Sequence, residues 1–230
     1  MSESESESNS AATAVRLVFE SEAKIYEACA TDNIRSVLTG VYIDPAGLAV
    51  ASDGFILAIV QLSKFEIVRG QFNGATIPGE LVRKAFKQAP RYSSPEIHLL
   101  QPTDNPRNHG TARAFVKDGV LEAALIDGSF PTWRTILPES FTSAPAPKLS
   151  FNALSARRLA DALGLEGMLS LYTEARDPNK LIAYTDRGNR IGVMMGLFFT
   201  AASEDTITAR LKAIRAEPCP NRDSVTENAP

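Results

Sequence analysis

Leu125-Ile126-Asp127-Gly128-Ser129-Phe130-Pro131-Thr132-Trp133-Arg134-Thr135-Ile136-Leu137-Pro138 is the stretch on which the reading of this chain turns. Its Asp127-Gly128 pair is a turn signal: glycine reaches positive φ without steric cost, and aspartate hydrogen-bonds its own backbone. Just before it, Leu121 to Ile126 alternates as a strand. Just after it, residues 138–148 (PESFTSAPAPK) carry three prolines among small polar residues. That is the composition of a linker, so a domain boundary is expected there.

Working outward, one unit is written three times: a strand, a helix, then alternating strands separated by turns. In the first unit Val15 to Phe19 reads as a strand and Glu22 to Ala30 has helical spacing. Strands follow at Val41 to Ile43, Gly47 to Ser52 and Phe55 to Leu62, the last two joined at Asp53-Gly54. The second unit opens with Ala75 to Ile77. Pro78 then stands where a helix tolerates it in its first turn, and Leu81 to Gln88 is the helix. Strands follow at Glu96 to Leu100, Ala112 to Val116 and Leu121 to Ile126. The third unit begins at Lys148 to Phe151, with Asn152 as N-cap of a helix over Ser155 to Leu163, and continues with strands at Met168 to Thr173, Leu181 to Thr185 and Ile191 to Met195. Beyond it, Ile207, Leu211 and Ile214 share one stripe, which predicts an amphipathic helix within residues 201–217.

Composition bounds the function class. The 230 residues are 44% hydrophobic and 22% charged, an ordinary globular make-up with room for one or two cores. Residues 1–13 are a low-complexity acidic run and residues 218–230 a polar, proline-containing end, and both are expected to be disordered tails. No apolar run is long enough for a membrane span and the start lacks a signal-peptide pattern, so the cytoplasm is the expected location. Two cysteines, Cys29 and Cys219, build neither a disulfide framework nor a cysteine-rich metal site. A net charge of −3 argues against a surface that grips nucleic acid everywhere, while leaving room for one basic face.

The quoted stretch is similar to "LIDGxFPDYRxVIP", a pattern of the bacterial DNA polymerase III β subunit sliding clamps. Ile34-Arg35-Ser36-Val37-Leu38-Thr39-Gly40-Val41 with Val50-Ala51-Ser52-Asp53-Gly54-Phe55-Ile56-Leu57-Ala58 resembles the same family's paired strands around "(A)TDGHRLA". Phe151-Asn152 and Ile191-Gly192-Val193-Met194-Met195 resemble its "FNxxYL" and "VVMPMR" segments. Phe55-Ile56 stand where the family has His-Arg, and Met194-Met195-Gly196-Leu197 where it has Met-Pro-Met-Arg.

The resemblance covers roughly residues 14–200 and implies an α+β DNA-clamp fold of repeated βαβββ units, about one and a half clamp domains per chain. Residues 14–138 would be a complete domain like the family's middle one, 139–147 the linker, and 148–200 half of a last domain. The implied role is non-enzymatic: a ring that encircles double-stranded DNA without sequence preference and tethers a DNA polymerase, with a clamp loader as a further partner and no cofactor. Family rings hold twelve such repeats. Three repeats per chain therefore favour a homo-tetramer in which flipped copies alternate, a dihedral arrangement. The positions matching the family's partner-peptide groove are Leu38, Ser52, Phe55, Leu57, Pro138, Val193 and Met194. Lys24, Arg83, Lys84, Lys87, Arg91, Arg157 and Arg158, on or beside the three predicted helices, are the candidates to face DNA. The acidic charge and truncated plan suit a phage-type clamp. The alternative from another class is a clamp-like interaction protein or clamp antagonist that never encircles DNA.

Other chemistry is weaker. Asp53, Asp118 and Asp127 each precede glycine and read first as turns, with a hydrolase built on Asp53 or Asp127 a remote reading. His98 and His109 lack zinc or triad spacing, and Cys29 reads as a small buried apolar group. No phosphate-cradling glycine loop occurs. Trp133 is expected to pack rather than to stack on a base.

Overall fold

In the computed structural model, the described residues are 12–32, 34–89, 93–102, 110–137, 141–142, 151–165, 171–174, 180–184 and 190–195. The first unit supplies β1 (Thr13–Val18), β2 (Gly40–Ile43), β3 (Leu48–Ser52), β4 (Ile56–Gln61) and β5 (Lys64–Arg69). The second supplies β6 (Ala75–Pro78), α1 (Gly79–Gln88), β7 (Glu96–Gln101), β8 (Thr111–Val116) and β9 (Gly119–Ala124). Next come β10 (Phe141–Thr142), α2 (Ala153–Leu163), β11 (Leu171–Glu174), β12 (Lys180–Tyr184) and β13 (Arg190–Met195). The fold is α+β, with two antiparallel sheets and few helices.

The strands form two antiparallel sheets, ordered β5-β1-β7-β8-β9 and β10-β11-β12-β13-β4-β3-β2-β6. The first two units exchange their opening strands: β1 pairs with β7 of the second unit, and β6 with β2 of the first. Neither unit completes a sheet alone. The third unit joins by its last strand, β13, which pairs antiparallel with β4 over five residues from Arg190↔Val60 to Met194↔Ile56.

Alternation sets the faces. Val15 and Leu17 on β1, Ile97 and Leu99 on β7, and Ala112 and Ala114 on β8 meet Val41, Ile43, Ala58, Val60 and Ile77 of the other sheet in one core, which also takes Leu81, Val82 and Ala85 of α1 and Leu159, Ala162 and Leu163 of α2. The Asn152 carboxamide oxygen caps α2, accepting from the Leu154 and Ser155 amides at 2.9 and 3.3 Å, as the sequence predicts. Gly164 ends that helix at φ 65°, the left-handed position that favours glycine.

Three expectations are corrected. The helix over Glu22 to Ala30 is only a single 3-10 turn, Ile25–Ala28. Arg158 explains this: its Nε and Nη2 donate to the Glu27 and Cys29 carbonyls at 2.9 and 2.7 Å, and the Lys24 amide donates to the Asp161 carbonyl. Long-range partners thus replace the α-helical ladder. β5 has no counterpart in the sequence reading, since Lys64-Phe65-Glu66-Ile67-Val68-Arg69 is mostly exposed and lacks a clean period of two. β10 pairs with β11 inside the stretch expected to be a linker. The Lys148 to Ser150 part of the predicted strand, the helix of residues 201–217 and residues 1–11 and 218–230 of the tails lie outside the described residues.

Candidate partner-binding groove and helix face

A second, smaller apolar cluster sits on the opposite face of the eight-stranded sheet: Val50, Leu57, Ile59, Val193 and Trp133, with Tyr42, Leu48, Phe130 and Leu137 against them. The segment that decides the sequence reading lies across this face. Trp133, 5% exposed, packs on the strands at the start of a 3-10 turn, Trp133–Ile136. Phe130 stacks on Tyr42 with ring centroids 5.1 Å apart and planes 9° off parallel. Arg134 lies over the Trp133 ring at 4.3 Å and donates to the buried Asp44 carboxylate at 2.8 Å. Burial alone would raise Asp44, but the Arg134 guanidinium and the Ala46 N–H outweigh it and hold the carboxyl below its usual value. The same pairing pushes the Arg134 pKa up.

Beside this cluster opens a cavity of about 300 Å³, lined by Arg35, Leu38, Ser52, Gly54, Phe55, Ile56, Leu57, Phe130, Pro131, Trp133, Ile136, Val193 and Met195. A tight turn forms its edge. Asp53 Oδ1 accepts from the Phe55 and Ile56 amides at 2.8 and 2.9 Å, and the Ser52 hydroxyl donates to the Ile56 carbonyl and accepts from the Gly54 amide. Gly54 has φ 95°, and a Cβ there would also meet the Arg35 guanidinium at 2.7 Å. Phe55 is left 68% exposed, while its carbonyl accepts from the Met195 amide and ties the turn to the end of β13. Large apolar side chains that face water around one concavity mark a recognition surface, and Phe55, Ile136 and Met195 do so here.

Leu38, Ser52, Phe55, Leu57 and Val193 are thus brought together as the sequence reading expects. Met194 is not: alternation along β13 turns it into the main core at 1% exposure, and Met195 takes the groove position. Pro138 lies outside the described residues. Arg35, Phe130, Pro131, Trp133 and Ile136 line the groove without having been expected to. Their signal is present in the sequence, because all belong to the two motifs that carry the resemblance.

The helical elements form a row in which the Ile25–Ala28 turn touches both α1 and α2. Lys24, Lys84, Lys87 and Arg157 are exposed on it. Lys84 and Arg157 each sit 3.8 Å from an acidic residue one turn away, Glu80 and Asp161. Arg83 is half-buried, with its guanidinium 5.4 Å from the Tyr26 ring centroid. Arg158 is engaged within the fold: besides the two carbonyls, its Nη1 donates to Asp53 Oδ2 at 2.5 Å. Arg91 lies outside the described residues. Asp53 is committed to its turn and to Arg158. Burial pushes the Cys29 thiol up to about 12, so it remains a protonated thiol in the core. Among the described residues no group of three or more His, Cys, Asp or Glu side chains could hold a metal, and no helix is long and apolar enough to cross a membrane.

Paired repeats that exchange strands, a sheet running unbroken from one unit into the next, and a row of helices on the core side define the sliding-clamp fold. The solved structures similar to this chain are DNA polymerase III β subunits. The subunit from Pseudomonas aeruginosa superposes with a TM-score of 0.57 at 15% identity over 84% of this chain and 68% of its own, and that from Borrelia burgdorferi, in complex with a natural product, with 0.59 at 10% identity over 84% and 66%. A P. aeruginosa sliding clamp bound to griselimycin gives 0.53 at 15% identity over 86% of this chain and 68% of its own. The likeness is one of fold, and the chain spans about two thirds of the length of these proteins. No protein-family model matches the sequence, and no curated protein does.

Proposed function

We propose that this chain is a DNA sliding clamp: a non-enzymatic processivity factor whose copies close around duplex DNA and hold a replicative DNA polymerase through a short apolar peptide seated in the groove. The observation that carries the proposal is the groove itself, built from the β3–β4 turn, the end of β13 and the Phe130–Ile136 segment, with exposed apolar side chains around its mouth. A peptide that inserts hydrophobic anchors there would bury them beside Trp133 and Leu57. The chain's three repeats amount to one and a half clamp domains, so four copies would make a twelve-repeat ring with dihedral symmetry. A closed ring stays on DNA by topology. Weak phosphate contacts from Lys24, Lys84, Lys87 and Arg157 then suffice, independent of sequence, and a clamp loader would open the ring.

Native mass measurement and particle imaging test the ring: a stable multimer with a central hole wide enough for duplex DNA is expected, and a monomer at micromolar concentration overturns the reading. Substituting Lys24, Lys84, Lys87 and Arg157 together by alanine should lower the slope of log affinity against log salt by about 0.9 for each phosphate that is no longer neutralised. An unchanged slope would remove these side chains from the DNA face.

A further inference from the structure

The first two units are related by a near-symmetry of strand order, and one feature breaks it. Each sheet of the pair is built from the second, third and fourth strands of one unit plus the opening strand of the other: β2, β3, β4 with β6, and β7, β8, β9 with β1. The chain after the fourth strand returns to the opening strand in both cases. β5 pairs with β1, and Ile126 bridges to Thr76 on β6. Only the outer edges of the fourth strands differ. That of β4 is covered by β13, whereas among the described residues β9 ends its sheet.

We propose that the outer edge of β9 is a self-complementary interface, which pairs antiparallel with β9 of a second copy. The template is within the chain. β4 and β13 are each the fourth strand of their unit, and they join edge to edge, fourth strand to fourth strand. The same rule gives β9, the fourth strand of the second unit, a fourth strand as its partner. Among the described residues the other two are already taken by each other, so the partner is β9 of another molecule, related by a two-fold axis.

The side chains fit this occupant. β5, at the far edge of the same sheet, carries Lys64, Glu66 and Arg69, the charges that blunt an edge against pairing. β9 (Gly119-Val120-Leu121-Glu122-Ala123-Ala124) has one charge, and Glu122 is held by Arg113 at 2.7 Å. Val120 is 53% exposed beside its cross-strand neighbour Phe115, 40% exposed. A six-residue, mostly apolar edge whose outer backbone groups pair with no described strand is a template for another strand. Leu121 and Ala123 turn toward the core, as Ala58 and Gly192 do where β4 meets β13. A two-fold centred on a residue always sets core-facing side chains opposite core-facing ones, whereas a slip by one residue would swap the faces. Centring on Leu121 pairs five residues, the length of the β4–β13 join, and sets Val120 opposite the partner's Glu122. Centring on Glu122 would oppose two carboxylates.

The inference deepens the ring reading and rests on it for closure: it supplies one of the two kinds of two-fold axis that a ring of alternating flipped chains requires. The experiment uses the full chain. In a Cys219→Ser background, Val120→Cys with Glu122→Cys should form a disulfide-linked dimer under mild oxidation, while Val120→Cys alone should not. Val120→Glu should raise the dissociation constant of the assembly on the order of tenfold, because two like-charge contacts appear per interface, and Val120→Lys should be tolerated. Val68→Glu on β5 should change nothing. Val68, Val120 and Glu122 are exposed, and unchanged thermal unfolding of the monomer would show that folding is intact. A multimer that ignores Val120→Glu and yields no cross-link overturns the β9 interface and leaves the ring reading standing, whereas a wild-type monomer overturns both.

Discussion

Replacing Arg158 by alanine, alone and together with Asp53→Ala, tests what ties the third unit to the first. The two side chains are 22% and 12% exposed and their closest atoms are 2.5 Å apart. Removing one partner of a fully buried pair costs about 3–5 kcal/mol, because the remaining charge is left uncompensated. Water reaches part of this pair, so about 2–3 kcal/mol is expected for Arg158→Ala, which also loses the bonds to the Glu27 and Cys29 carbonyls. Asp53→Ala additionally frees the Phe55 and Ile56 amides, at a cost similar to the ~1 kcal/mol of a lost helix cap. The double variant should be less destabilised than the sum of the singles by about 1–2 kcal/mol, the coupling energy of the pair. Urea unfolding of the four proteins measures it, and with a slope of roughly 2 kcal/mol per molar the Arg158→Ala midpoint should fall by about 1–1.5 M. A coupling below about 0.3 kcal/mol, or an Arg158→Ala protein of unchanged stability and weakened DNA binding, would refute the reasoning and return Arg158 to the DNA face.

Two further outcomes follow from the groove. Phe55→Ala should leave stability within about 0.5 kcal/mol, since the ring is 68% exposed, yet weaken binding of a short apolar peptide, followed by calorimetry, by on the order of tenfold. Equal affinities would exclude Phe55 from recognition. The Asp44 carboxyl is held below its unfolded value, so its contribution is present in full above the unfolded pKa of about 4 and is lost as pH falls through the lower folded value. Asp44→Asn should therefore flatten this part of the stability profile below pH ~4, and a profile with the same acid slope as wild type would contradict the Arg134 pairing.

The sequence by itself determined the strand and helix repeats, because local chemistry dictates them. Period-two alternation set strands such as β1 and β8, Asn152 set the start of α2, and Asp53-Gly54 set the turn that carries Phe55. Five groove residues followed from the motifs. What only the tertiary structure decided depends on partners distant in sequence. The exchange of β1 and β6 between units, and the β4–β13 join, leave no local pattern, since period-two alternation fixes which face of a strand is buried and not which strand lies beside it. Residues 22–30 have helical spacing, yet Arg158, more than a hundred residues later, takes the Glu27 and Cys29 carbonyls and limits the helix to one turn. Met194 and Met195 are adjacent and chemically alike, and only the face that β13 turns toward α2 assigns one to the core and the other to the groove.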